Sequence, residues 1–151
     1  MKIIPADLDD PRVVSLLETH HETARAAVPI CSAHALDVTG LPAPDISIWA
    51  AWDDDTLLAL GTLRRLDASH GEIKSMHTAA AHRGKGAGSA ILAHIIATAR
   101  GQGMTRLSLE TGATDYFEPA RALYRRHGFN GCAPFGDYVP DRNSVFMTRK
   151  L

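Results

Sequence analysis

The segment His82-Arg83-Gly84-Lys85-Gly86-Ala87-Gly88-Ser89 sets three glycines among two cations just before an apolar helical pattern. Backbone N–H groups at a helix start lack internal partners and sit at the positive end of the helix dipole, so such a turn suits a phosphate or pyrophosphate. A Walker A loop needs Gly-Lys followed directly by Ser or Thr, and here Lys85 is followed by Gly86. The dinucleotide pattern G-x-G-x-x-G fails too, since its last place, counted from Gly84 and Gly86, falls on Ser89. His21-Glu22 begins like a zinc-protease helix, but the position four after His21 is Arg25, so the second ligand is missing. Cys31 and Cys132 fit no paired metal-ligand spacing, and no metal is expected.

The elements around this loop set what it can face. Lys2 to Pro5 reads as an edge strand, and Asp9, Asp10 and Pro11 start a helix through Val13 to Thr23. From Val28 to Pro44 prolines and Gly40 leave irregular connections around one helical turn at most. Asp45 to Trp52 and Thr56 to Arg65 flank an aspartate turn as a β-hairpin, and Glu72 to Thr78 adds a third strand. Alternation puts Glu72, Lys74, Met76 and Thr78 on one face of that strand and Ile73, Ser75 and His77 on the other. Apolar spacing from Ala87 to Ala99 predicts a helix that Gly101 and Gly103 stop, and Thr105 to Thr111 is a strand. A strand, helix and strand in succession predict a right-handed crossover, with the strands ending at Thr78 and beginning at Thr105 as parallel neighbours. Pro119 opens a short helix that Gly128 ends, and Ser144 to Lys150 is a last strand.

The chain of 151 residues is 45% hydrophobic and 22% charged, which fits one domain over residues 1–151 with a packed core. A net charge of −1 argues against a nucleic-acid binder held by phosphate contacts. Residues 1–70 carry 5 basic and 11 acidic side chains and residues 71–151 carry 11 and 6, a split suited to a polyanion gripped by the second half and a cation drawn by the first. No apolar run is long enough for a membrane span and the start lacks the stretch of a signal peptide, so a cytoplasmic protein without membrane contact is expected. His20, His21 and His34 lie in the acidic half, where they could line an acceptor pocket or simply be solvated.

Arg83, Gly86 and Gly88 match Arg-x-x-Gly-x-Gly, and Ala120-Arg121-Ala122-Leu123-Tyr124 followed by Gly128-Phe129 matches a second hallmark, Ala-x-x-Leu-Tyr then Gly-Phe. In both, the chain resembles the GCN5-related N-acetyltransferase (GNAT) family. Leu107 to Gly112 and Pro134 to Tyr138 further resemble a bacterial subgroup of small acetyltransferases. The resemblance implies an α+β fold: a mixed, mostly antiparallel sheet of six or seven strands with about four helices, splayed between two strands to hold acetyl-CoA. It also implies that Arg83, Gly84, Lys85, Gly86, Ala87, Gly88 and Ser89 hold the pyrophosphate and that the backbone of Met76, His77 and Thr78 meets the pantetheine. Side chains at Gly86 or Gly88 would then block close approach of the backbone. Amine attack on a thioester needs a neutral nucleophile and a proton for the leaving thiolate. Tyr124 is expected as the acid and Glu72 as the base, with Glu110 or water as alternatives; His77 ranks lower because alternation sets it opposite Glu72. Glu110 and His34 are candidates for acceptor contacts. Many family members carry Asn seven residues before the tyrosine, where this chain has Phe117. The expected reaction is acetyl transfer from acetyl-CoA to a primary amine of a small molecule in a ternary complex. A noncatalytic acyl-CoA-binding module and a protein or peptide acetyltransferase are the alternatives, and a homodimer is left open.

Overall fold

The computed structural model describes residues 1–27 and 43–151. Cys31, His34 and most of the irregular connection expected after Val28 lie outside the described residues. Seven strands form one open sheet in the order β1 (Lys2–Pro5), β2 (Ile46–Asp53), β3 (Thr56–Arg65), β4 (His70–Thr78), β5 (Arg106–Gly112), β7 (Ser144–Lys150) and β6 (Asn130–Gly131). Among the described residues there are three α-helices, α1 (Pro11–Ala27), α2 (Ala87–Gly101) and α3 (Glu118–Arg126), against the four or so that the resemblance implied. No helix among the described residues is long and apolar enough to cross a membrane.

The crossover through α2 makes β4 and β5 the parallel pair, and the other strand pairs are antiparallel. Helix α2 buries Ile91, Leu92, Ile95 and Ile96 against Leu63, Ile73, Leu107 and Leu109 on one face of the sheet, in a core that also takes in Tyr124 and Phe129. Helix α1 lays Val13 and Leu17 on Ala50 and Leu60 on the other face. Each of these buried Val, Leu and Ile side chains contributes about 1.5–3 kcal/mol of transfer free energy, which holds the helices in place around the strands.

Two departures from regular pairing shape the molecule. The parallel register runs only from His70 opposite Arg106 to Ile73 opposite Leu109, although β4 continues to Thr78 and β5 to Gly112. The two strands therefore separate beyond Ile73. On the other side of β4, Thr62 pairs with Lys74 while Leu60 pairs with His77, so Gly61 stands opposite both Ser75 and Met76. This β-bulge holds Ser75 at a φ of 50°. A Cβ at Gly61 would run into Ile91 and Met76, so the glycine makes the room that lets Met76 turn onto the α2 face.

The bulge corrects the alternation expected from the sequence. An extra residue shifts the side-chain phase by one, so Met76 packs beside the core containing Ile73, and His77 turns to the face of α1, where it meets His20.

Candidate active site

The separation of β4 from β5 opens a cleft of about 500 Å³. Its walls come from four pieces of chain: β4 from Glu72 to Thr78, the glycine loop with the start of α2, the end of β5 from Glu110 to Gly112, and α3 with the turn before it. His20 of α1 and Tyr138 close the remaining side.

At one end the helix ladder of α2 begins with the Ala90 N–H donating to the Gly86 carbonyl. The N–H groups of the first turn have no place in that ladder, and the N-cap Gly86 brings no side-chain cap. Gly84 and Gly86 take φ of 77° and 86°, backbone that side chains other than glycine's resist, and a Cβ at either would point into open space. That open cradle of N–H groups, with Arg83 at its edge, fits a pyrophosphate. Gly88 serves differently: its Cβ would come tightly to 3.3 Å from Thr78 Oγ1 and into ordinary contact with Leu123 Cδ2 at 3.5 Å, so it lets α2 approach β4 closely beside α3. Lys85 is exposed and lies outside the cleft lining.

Tyr124 comes from α3 and is 6% exposed, packed edge-on to Phe129, with its side of the ring in the cleft wall. Burial, reinforced by the Glu110 carboxylate, pushes its phenol well above the ordinary value of 10, so the hydroxyl keeps its proton. Helix α3 is tied down by Arg121, which donates to the carbonyls of Gly112 and Thr114 and pairs with Glu118. Phe117 sits where a Cβ on Gly112 would be, so its ring lies against the bare backbone of β5.

At the opposite end Glu72 is 2% exposed. Its Oε2 accepts the Tyr138 hydroxyl at 2.6 Å and lies 3.6 Å from Lys74 Nζ, while Lys74 also donates to the Tyr138 hydroxyl at 3.1 Å. Arg64 stands 4.0 Å from the other carboxylate oxygen. Burial and the Glu72 charge raise the Tyr138 phenol above its ordinary range. Tyr138 packs against Phe135 and Phe146, which fixes the hydroxyl over the carboxylate. The sequence marked Pro134 to Tyr138 only as a resemblance; no helix or strand period runs through it, and nothing there announces a partner for Glu72.

Beside this group the Nδ1 atoms of His20 and His77 lie 3.1 Å apart. Burial, with His77, His21 and Lys74 nearby, lowers His20 to about 4, and burial with Arg83 lowers His77. Of the residues singled out in the sequence, Tyr124, Glu72, Glu110, Met76, His77, Thr78, Arg83, Gly84, Gly86, Ala87, Gly88 and Ser89 all meet in the one cleft. His20 joins them and His21 does not; His34 lies outside the described residues. No cluster of three or more His, Cys, Asp or Glu side chains able to hold a metal occurs among the described residues.

An open sheet with a parallel pair that parts around a helix N-terminus, and a buried tyrosine across from it, is the framework of an acyl-CoA-dependent transferase. Comparison with known proteins agrees. Residues 13–129 match the model of the acetyltransferase (GNAT) family. An uncharacterized N-acetyltransferase of Bacillus subtilis, YsnE, is 50% identical over 145 residues, covering 96% of each chain. The crystal structure of a Klebsiella pneumoniae protein assigned to the acyl-CoA N-acyltransferases superposes with a TM-score of 0.82 at 27% identity, covering 99% of this chain and 97% of the other. A Bacillus subtilis acetyltransferase solved in complex with CoA shares the fold, with a TM-score of 0.74 at 17% identity over 99% of this chain and 98% of that one. The chain belongs to the acetyltransferase (GNAT) family and is an acetyl-CoA-dependent N-acetyltransferase.

Proposed function

We infer that the protein transfers the acetyl group of acetyl-CoA directly to the primary amine of a small molecule, both substrates being held together in the cleft. One observation carries this reading: the free edge of β4, the first turn of α2 and Tyr124 all line a single opening. The pyrophosphate lies against Arg83 and the backbone of Gly84 to Ser89, where the first-turn N–H groups of α2 are free of the helix ladder. The pantetheine amides extend the sheet along Met76 to Thr78, where β4 has lost β5 as a partner. The thioester supplies the activated acetyl group.

The chain's own groups divide the remaining work. Tyr124 Oη, kept protonated by burial, donates to the sulfur as the C–S bond breaks. The Glu72 carboxylate, paired with Lys74 and near Arg64, holds Tyr138 and Lys74 in place at the acceptor end of the cleft. Since Tyr138 and Lys74 already hold its Oε2, Glu72 in this reading anchors the wall of the cleft, and the base is sought elsewhere. No cysteine lines the cleft among the described residues, which favours direct attack over an acetyl group carried on a protein thiol.

The test is thiol release from acetyl-CoA over a panel of primary amines, amino acids and peptides. Turnover with small amines is expected, and Tyr124→Phe should lower it on the order of 10²-fold. Turnover confined to peptides would overturn the small-molecule assignment, and a wild-type rate in Tyr124→Phe would remove the tyrosine from the chemistry.

A further inference from the structure

The proton that an ammonium acceptor must lose has no obvious taker in Glu72, whose carboxylate is already engaged. We propose that His77 is the base of this reaction and that His20 is the positioning residue that sets its tautomer. The proposal rests on the acetyl-transfer reading above and goes beyond it in naming the group.

The geometry comes from the bulge in β4, which turns His77 out of the core face and into the cleft against α1. Two neutral imidazoles with Nδ1 atoms 3.1 Å apart share one hydrogen, one ring donating and the other accepting. When His77 donates from Nδ1, its Nε2 is bare and basic, and His20 accepts. The two rings meet edge to face with centroids 5.1 Å apart. The charged and titratable groups facing the pair are His21 from α1, Lys74 from β4 and Arg83 from the glycine loop. These oppose a positive charge on either ring, so both are neutral at pH 7 and His77 holds an extra proton only in passing.

His77 Nε2 takes one proton from the ammonium, and the freed nitrogen attacks the carbonyl carbon. The C–N bond forms, the C–S bond breaks, and Tyr124 protonates the thiolate. The nitrogen gives up a second proton, which restores the tyrosine hydroxyl, and His77 returns its proton to solvent.

The experiment has two arms on the full-length protein. In the first, nitrogen-resolved NMR of the imidazoles is followed as pH falls, without acetyl-CoA. One shared Nδ1 hydrogen at pH 7, with His77 protonating before His20, is expected; Nδ1–H on both rings, or independent titration, overturns the pairing. In the second, His77→Ala should retain acetyl-CoA affinity by calorimetry, lose about 10²-fold in kcat at pH 7, and regain rate as imidazole free base is added. His20→Phe should lose about tenfold, and His20→Asn, whose amide reaches the place of Nδ1, should recover it. A wild-type rate in His77→Ala, or a loss that imidazole leaves unchanged, overturns the base assignment. Absence of amine acetylation by the wild-type protein would instead sink the reading beneath it, and the NMR arm stands apart from both.

Discussion

Replacing Tyr138 by phenylalanine deletes one oxygen from the wall of the cleft and leaves the ring packing on Phe135 and Phe146. That oxygen donates to a carboxylate that is 2% exposed, over 2.6 Å. A hydrogen bond to a charged group contributes about 1.5–3 kcal/mol, and a buried acceptor left short of a donor adds its desolvation penalty. One effect offsets this: Lys74 Nζ, 3.6 Å from the same oxygen, can move onto it. The net expectation is about 2 kcal/mol lost, read as a lower urea midpoint at pH 7 with an unchanged slope. In a double-mutant cycle with Glu72→Gln the coupling should be about 1–2 kcal/mol, because each change removes the same interaction. The KM for the amine should rise while acetyl-CoA affinity holds, since the group lies at the acceptor end. A midpoint within about 0.5 kcal/mol of wild type, or a coupling near zero, would refute the idea that Tyr138 fixes Glu72.

Other consequences follow from the same geometry. His20, lowered to about 4 in the folded protein from an ordinary 6.5, gives stability that is whole above pH 6.5 and drains away as pH falls through 4. At 1.36 kcal/mol per unit, unfolding at pH 4 should show up to about 3 kcal/mol of this loss, and His20→Asn should flatten it. Tyr124 and Tyr138 are both raised, so their contribution is complete below pH 10 and declines above it as the unfolded chain ionises first; Tyr138→Phe should make alkaline unfolding less steep. Gly112→Ala should cost about 1–3 kcal/mol by overlap with Phe117, and adding Phe117→Ala should restore most of it in denaturant titrations.

The order of elements was readable because each carries its own period: apolar spacing in α2, alternation in the hairpin, and Pro and Gly at the ends of α3. The glycine loop and Tyr124 were readable as motifs, and the structure brings them to one cleft. The phase of β4 was not, because a bulge is set by what lies opposite, here Gly61 beneath Met76 and Ile91, and not by the strand's own residues. Tyr138 escaped for a similar reason: it reaches Glu72 across 66 positions of chain from a segment without periodic pattern. The short strand β6 has only two residues, too few to show alternation.

On this account acetyl-CoA binds in the cleft that opens where β4 parts from β5, with the glycine loop at one end. Calorimetric titration of acetyl-CoA into the wild-type protein and into Gly86→Val tests it most directly, with urea unfolding to confirm that the variant is folded. Gly86 has a φ of 86° and open space where a side chain would go, so valine there should both strain the turn and fill the cradle. Binding of one molecule per chain in the wild type and its loss in the folded variant is the predicted result; equal affinity in the two proteins would contradict the account.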